Sequence, residues 1–222
     1  MTHRPVIFCD FDGTVTEKDN IVAIMEEFAP DGWQAIVTEI LNETISIREG
    51  VGNLFSKISS SQKEEIIQFV LTRSKIREGF QEFIHYTKTE NIPLYVVSGG
   101  IDFFVYPVLE KKLRTDQIIC NSSDFSGTHI RITWPHLCDK KCHKDCGCCK
   151  PSVIRRLESQ FPEHKKIVIG DSITDLQASK LADMVFARDY LIEKCEENRI
   201  PYTPFETFFD VIQALKKEEV KS

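Results

Sequence analysis

Asp10 and Asp12 stand two residues apart in Asp10-Phe11-Asp12-Gly13-Thr14, directly after the apolar run Val6-Ile7-Phe8-Cys9. Three more polar groups complete the set. They are Ser98-Gly99-Gly100 after Leu94-Tyr95-Val96-Val97, then Lys150, then Gly170-Asp171-Ser172-Ile173-Thr174-Asp175 after Ile167-Val168-Ile169. Acids, a hydroxyl and an amine are what phosphoryl transfer from a monoester requires. That reaction needs a nucleophile in line with the leaving oxygen, a proton for that oxygen, and positive charge beside the phosphoryl oxygens. Asp10 is the candidate nucleophile, giving an aspartyl-phosphate that water hydrolyses. Asp12 is the candidate acid for the leaving oxygen and base for the attacking water. Ser98, Thr14 and Gly99 are candidate contacts to the phosphate, and Gly13 permits a tight turn close to it. Lys150 opens a helix, so its ammonium and the helix N-terminus both favour an anion there.

A carboxylate and a phosphate dianion repel, so a hard cation must sit between them, and Mg²⁺ suits oxygen ligands. The candidate metal residues are Asp10, Asp12 through its backbone carbonyl, and Asp171. Asp175 lies four residues after Asp171 and is the candidate support for the metal or for Lys150. Each stretch alone has an ordinary reading as a turn, a loop, a helix N-cap or a solvated lysine. Their order, and the placement of three of them at the ends of β-branched runs, favours one joint site, because open parallel sheets bind ligands there.

The elements that must position these residues alternate. Strands are expected at 5–10, 93–98, 117–121, 166–170 and 184–187. Helices are expected at 102–112, 150–160, 173–181 and 204–217. This alternation predicts an α/β fold with a mainly parallel, Rossmann-like sheet covered on both faces. Residues 16 to about 88 break the pattern with successive helices at 18–28, 33–42, 46–57, 62–72 and 78–88. Apolar residues at 47, 51, 54 and 55 carry a helical period, and Ser46 with Glu49 fits a capping box. The expected organisation is a core of 1–15 and 78–222 and a helical cap of 16–77, inserted after the first strand as a lid. His129 to Trp134 alternates after Ser126-Gly127, which reads as a hairpin. The polar tail 216–222 is expected to fray.

At 222 residues the chain suits one large domain, with or without a smaller insertion. A net charge of −6 argues against a nucleic-acid partner. No apolar run approaches the length of a membrane span, and the N-terminus lacks a signal-peptide pattern, so no membrane partner and a cytoplasmic location are expected.

The chain resembles the haloacid dehalogenase superfamily of phosphatases. Asp10, Asp12, Ser98, Lys150, Asp171 and Asp175 match its four motifs over nearly the whole sequence. The resemblance implies Mg²⁺ as cofactor, and the helical insertion looks like the small cap of the phosphoserine-phosphatase-like branch. Branches resembling P-type ATPases or phosphonatases carry another residue at the place of Asp12, which favours a phosphatase. Similar cap positions bind substrate in that branch, so Glu17 and Arg48 are candidate substrate contacts, although Arg48 also fits a solvated helix face. Phe28 and Trp33 suit core packing, or a pocket for an apolar substrate end. Phe28-Ala29-Pro30, the segment 46–52, the segment 98–107, Trp134-Pro135-His136 and Cys146-Gly147-Cys148-Cys149-Lys150-Pro151-Ser152 resemble a narrower bacterial group. Its implied substrate is a small phosphorylated keto-enol of methionine salvage.

Five of the eight cysteines fall between Cys138 and Cys149. Cys138, Cys142, Cys146, Cys148 and Cys149, with His136 and His143 nearby, have the ligand types of a structural Zn²⁺ site. Their spacing matches no standard zinc pair. Structural metal, reduced thiols and disulfides all remain open, with disulfides disfavoured in the cytoplasm. Cys9 and Cys120 fall in strands and read as buried small hydrophobes. Two alternatives stand beside the leading function: a hydrolase of another small phosphomonoester such as phosphoserine, and a non-catalytic metal-binding interaction module.

Overall fold

The structure, a computed structural model, describes residues 4–221. Its strands are β1 (Pro5–Cys9), β2 (Leu94–Ile101), β3 (Ile118–Asp124), β4 (Arg131–Thr133), β5 (Lys165–Gly170), β6 (Met184–Ala187) and β7 (Thr203–Pro204). They form one sheet in the order β4-β3-β2-β1-β5-β6-β7. Every neighbouring pair is parallel except β3 with β4. The short β-branched runs make these strands because both of their faces are buried. Ile7 and Cys9 of β1 face one apolar layer, and Val6 and Phe8 face the other. This is the period-2 alternation of a strand covered on both sides.

Helices α5 (Phe80–Thr89), α6 (Asp102–Leu109) and α10 (Phe208–Lys221) accompany the sheet, as do α7 (Lys150–Glu158), α8 (Ile173–Ser179) and α9 (Asp189–Asn198). Val153, Ile154 and Leu157 of α7 and Ala178 of α8 cover the face of Val6, Phe8 and Val168. Phe80, Phe83 and Phe208 cover the other face, their rings about 5 Å apart. β1 lies between β2 and β5, so the chain turns to opposite sides of β1 in its two halves. That reversal is the switch point at which open α/β sheets place ligands.

Between β1 and β2 lie α1 (Asn20–Phe28), α2 (Trp33–Leu41), α3 (Ile47–Phe55) and α4 (Lys63–Arg73). They leave and rejoin the sheet through a narrow neck, in which Thr16 bridges Ile76 and the Arg77 N–H donates to the Val15 carbonyl at 2.8 Å. Ser46 caps α3, its hydroxyl accepting from the Glu49 N–H at 3.0 Å. Phe28 sits edge-on to Phe69, their ring centres 5.3 Å apart, and both Phe28 and Trp33 pack against the core.

Four details depart from expectation. β2 runs on to Ile101, with a register shift after Val97. α6 stops at Leu109 rather than residue 112. β7, too short for any period to reveal it, extends the sheet edge. The tail does not fray from residue 216: α10 continues to Lys221, while Ser222 lies outside the described residues, as do residues 1–3 of the expected core. The hairpin forms, with β4 antiparallel to β3 through the pairs Ser122–Thr133 and Asp124–Arg131. Among the described residues no helix is long and apolar enough to cross a membrane.

Candidate active site

Asp10 and Asp171 stand just beyond the ends of β1 and β5, and Ser98 lies within β2, directly after Val97, where its register shifts. Registration brings the three together: Cys9 pairs with Val96 on one side and Ile169 on the other, so Asp10, Ser98 and Asp171 follow within two residues of one level. The Asp10 N–H donates to the Ile169 carbonyl at 2.9 Å and extends that alignment by one residue. After Asp10 the chain makes a wide turn over Phe11–Val15, with Gly13 at φ +79°. A Cβ at Gly13 would lie 2.2 Å from an Asp171 carboxylate oxygen. Glycine is therefore favoured there by the left-handed backbone, and any side chain would have to displace the Asp171 carboxylate.

Lys150 enters from the first turn of α7. Its ammonium donates to Asp10 Oδ1 at 2.5 Å and to Asp175 Oδ1 at 2.6 Å, and lies 3.3 Å from the Thr174 hydroxyl. Lys150 is 6% exposed and Asp10 5% exposed, so this cationic bridge operates out of bulk water. Burial alone would lower the lysine pKa, but Asp10 and Asp175 outweigh it and hold the ammonium above its ordinary range. Burial raises Asp10 to about 6, aided by Asp175 and opposed by Lys150. Lys150 favours the ionised form of Asp10, the form that a nucleophile needs.

Asp12 behaves differently. Burial, then the charge of Asp19, pushes it up to about 8. Its Oδ1 accepts from the Asn20 side chain at 2.7 Å and the Asn20 N–H at 3.1 Å. Its Oδ2 lies 3.5 Å from the Ser98 hydroxyl, which itself accepts from the Gly100 N–H at 2.8 Å. Burial thus pushes Asp12 further up than Asp10, which Lys150 holds down, the direction of separation that suits an acid beside a nucleophile. Asn20→Ala removes a donor that lowers the Asp12 pKa. The alkaline limb of the kcat/KM profile is expected to move to higher pH, and an unmoved limb would detach that limb from Asp12.

Asp171 Oδ1 accepts from the Thr14 hydroxyl at 2.9 Å. Burial, then the charges of Asp10 and Asp175, raises Asp171 to about 9. One oxygen from each of Asp10, Asp171 and Asp175 lies within 4.8 Å of the others. Beyond burial, the crowding of three acids around a single ammonium raises Asp171, and an all-oxygen donor set of this kind fits a hard divalent cation, whose charge would relieve that repulsion. Asp175 has both oxygens engaged, Oδ1 by Lys150 and Oδ2 by the N–H groups of Asp171 and Ser172. It supports the site rather than facing an incoming group.

Several residues sit elsewhere than the sequence suggests. Thr14 is fully buried and its hydroxyl serves Asp171, not an open phosphate position. Gly99 does border open space: a Cβ there would meet nothing within 4 Å, and its carbonyl is held by Asn121 at 2.8 Å. Glu17 is tied into the neck by an ion pair with Lys75 at 2.7 Å. Arg48 is engaged by Asp145 of the cysteine loop at 3.0 Å.

Two residues went unread in the sequence. Arg77 is a buried guanidinium that donates to the carbonyls of Thr14 and Gly13, each at 2.7 Å, and so clamps the turn carrying Asp12. A lone arginine before a helix carries no local signal of that role. Asn20 follows Asp19, which caps α1 at 3.0 Å through the Val22 N–H, and that N-cap pattern was the available clue.

A sequence profile described as haloacid dehalogenase-like hydrolase matches residues 7–180. The chain is 57% identical over 220 residues, 99% of both chains, to a protein of Geobacillus kaustophilus (strain HTA426) named 2-hydroxy-3-keto-5-methylthiopentenyl-1-phosphate phosphatase. It is 56% identical over 210 residues, 95% of both chains, to the protein of that name from Bacillus mycoides (strain KBAB4). Among solved structures, a substrate-bound phosphoserine phosphatase complex superposes with a TM-score of 0.72 at 17% identity, covering 96% of this chain and 99% of that one. A phosphoserine phosphohydrolase-like protein from Francisella tularensis also reaches 0.72, at 16% identity, covering 95% and 99%. At such identities the two structures speak for the fold alone.

Proposed function

Because the chain belongs to the haloacid dehalogenase-like hydrolases, we propose that it hydrolyses 2-hydroxy-3-keto-5-methylthiopentenyl-1-phosphate to 1,2-dihydroxy-3-keto-5-methylthiopentene and phosphate, a step of methionine salvage. The observation that carries the substrate is the near-full-length identity to phosphatases of that name. The site supplies a chemistry that agrees with it.

Asp10 attacks phosphorus, and the bond to the substrate oxygen breaks. Lys150 holds Asp10 Oδ1 and sets the orientation of the carboxylate. Asp12, whose pKa burial raises, delivers its proton to the departing oxygen. Water then attacks the aspartyl-phosphate, the ionised Asp12 takes a proton from it, and phosphate leaves with Asp10 and Asp12 restored. Asn20 and Ser98 keep Asp12 in place between the two steps. Asp10, Asp171 and the Asp12 carbonyl would hold Mg²⁺, which when bound supplies positive charge against the phosphoryl oxygens. Helices α1–α4, read as a cap over 16–77, keep bulk water from the buried carboxylates. Among the described residues the eight cysteines form no disulfide, which suits a reducing, cytoplasmic setting.

The test is a comparison of kcat/KM for the methylthiopentenyl phosphate and for phosphoserine, both with Mg²⁺. A preference of about 10–200-fold for the former is expected, since recognising the apolar end contributes roughly 1–3 kcal/mol. A clear preference for phosphoserine overturns the substrate.

A further inference from the structure

The loop from β4 to α7 lies outside the carboxylate site, yet it ends on the residue before Lys150. Cys138, Cys142, Cys146 and Cys149 bring their sulfurs within 4.8 Å of one another. Zinc–thiolate bonds near 2.3 Å place the sulfurs of a tetrahedral site about 3.8 Å apart, and Cys142 and Cys146 Sγ are 3.8 Å apart. The sulfurs also receive donors of the kind that offset thiolate charge. The Cys146 N–H points to Cys138 Sγ at 3.4 Å, and the Ser152 hydroxyl to Cys149 Sγ at 3.0 Å. Of the five clustered cysteines, Cys148 stands apart: it is buried, 4.0 Å from the Ile119 carbonyl. The two nearby histidines are not among the converging ligands either, and His136 Nδ1 faces Arg156 at 3.4 Å.

We propose that Cys138, Cys142, Cys146 and Cys149 bind one Zn²⁺ as a structural tetrathiolate centre, and that the loaded loop is a strut holding Lys150 and the cap helices in register. Both ends of the strut are visible. At one end, Cys149 is the N-cap residue of α7 and its N–H is fixed by the His136 carbonyl at 2.9 Å. At the other end, Asp145 takes the Arg48 guanidinium at 3.0 Å and the Ser46 hydroxyl at 2.8 Å, while the Arg48 N–H donates to its carbonyl at 3.2 Å. Lys144 adds an ion pair to Glu43 at 2.9 Å. Residues 144 and 145 thus grip the start of α3 and the turn before it, and Cys146 follows at once. Gly147, at φ +78°, lets the loop pass beneath Trp134, where a Cβ would lie 2.8 Å from the ring. Apart from its sulfurs the loop has almost no apolar core, so a cation across four thiolates is what would make it stiff.

Metal content is independent of the substrate assigned above, and only the activity readout rests on that reading. The experiment takes the full chain, purified under reducing conditions, and measures zinc by elemental analysis and free thiols with a thiol reagent. About one zinc per chain is expected, with four thiols that react only after chelation. Co²⁺ exchanged into the protein should give the visible absorption of a tetrahedral sulfur site. Cys142→Ser should lose the metal and Cys148→Ser should keep it. With Mg²⁺ restored, the zinc-stripped enzyme should lose about tenfold or more in kcat on p-nitrophenyl phosphate, recovered on adding zinc. A native protein without stoichiometric metal that takes up no Co²⁺, or one whose four thiols react alike before and after chelation, overturns the site. An undiminished kcat in the stripped enzyme overturns the strut.

Discussion

Asp10→Asn is expected to cut turnover of any phosphomonoester by at least about 10³-fold, the scale on which nucleophile deletions act. The amide keeps the size of the carboxylate and can still accept from Lys150, but it cannot attack phosphorus. The folded protein should not suffer. Burial holds the wild-type Asp10 at about 6, above its ordinary 3.8, so folding works against its charge. In the absence of metal at pH 7 the variant should melt no lower than wild type, because a carboxylate with a raised folded pKa withholds stability above that pKa. Acid-quenched single turnovers should show phosphoenzyme in wild type and none in the variant. Turnover within tenfold of wild type, or phosphoenzyme at another residue, would remove Asp10 as nucleophile.

Lys150→Met is expected to lose both activity and stability. The ammonium lies between Asp10 and Asp175, both almost wholly buried. Methionine fills the space but leaves two carboxylates without their cation, a change that costs about 3–5 kcal/mol when one partner of a buried pair is removed. In a chain of this size that is a Tm lower by roughly 10 °C. The deficit depends on pH, and its sign follows from the carboxylates. Without Lys150, which pulls the Asp10 pKa down, Asp10 should titrate above its present value of about 6. The folded state then binds protons that the unfolded state has already released. Stability is regained as pH falls through that raised value toward the ordinary carboxylate range, and lost as pH rises. Melting curves from pH 8 to pH 5 in metal-free buffer should therefore converge with wild type at the acidic end. A variant as stable as wild type at pH 8, with kcat within tenfold, would mean that the bridge matters for neither property.

The two variants also separate roles. Asp10→Asn is expected to remove reactivity and spare the fold, whereas Lys150→Met is expected to damage both, because the ammonium holds the Asp10 carboxylate and sits between the acids around it.

The motif residues were legible because their placement is local. Asp10 follows a β-branched run, and wherever that run becomes a central parallel strand, its end faces the ligand crevice. The same holds for Ser98 and Asp171. Lys150 follows no strand and was legible only as a helix-opening residue within the joint pattern. Its contact with Asp10 spans 140 positions in the chain, and nothing local encodes it. Arg77 clamps a turn 64 positions earlier, and Arg48 meets Asp145 across the fold; neither carries a periodic or motif signature. Five clustered cysteines suggested a metal, but which four converge depends on the backbone of one irregular loop.

Residue order alone carried the α/β alternation and the helical insertion and favoured phosphoryl chemistry, because strand period, caps and motif spacing act over a few residues. Only folding decided who partners whom: that Thr14 serves Asp171, that Asn20 holds Asp12, that Arg48 pairs with Asp145 of the cysteine loop, and that burial raises Asp12 further than Asp10. Those properties arise from burial and from charges brought together across the sheet, and neither exists until the strands have paired.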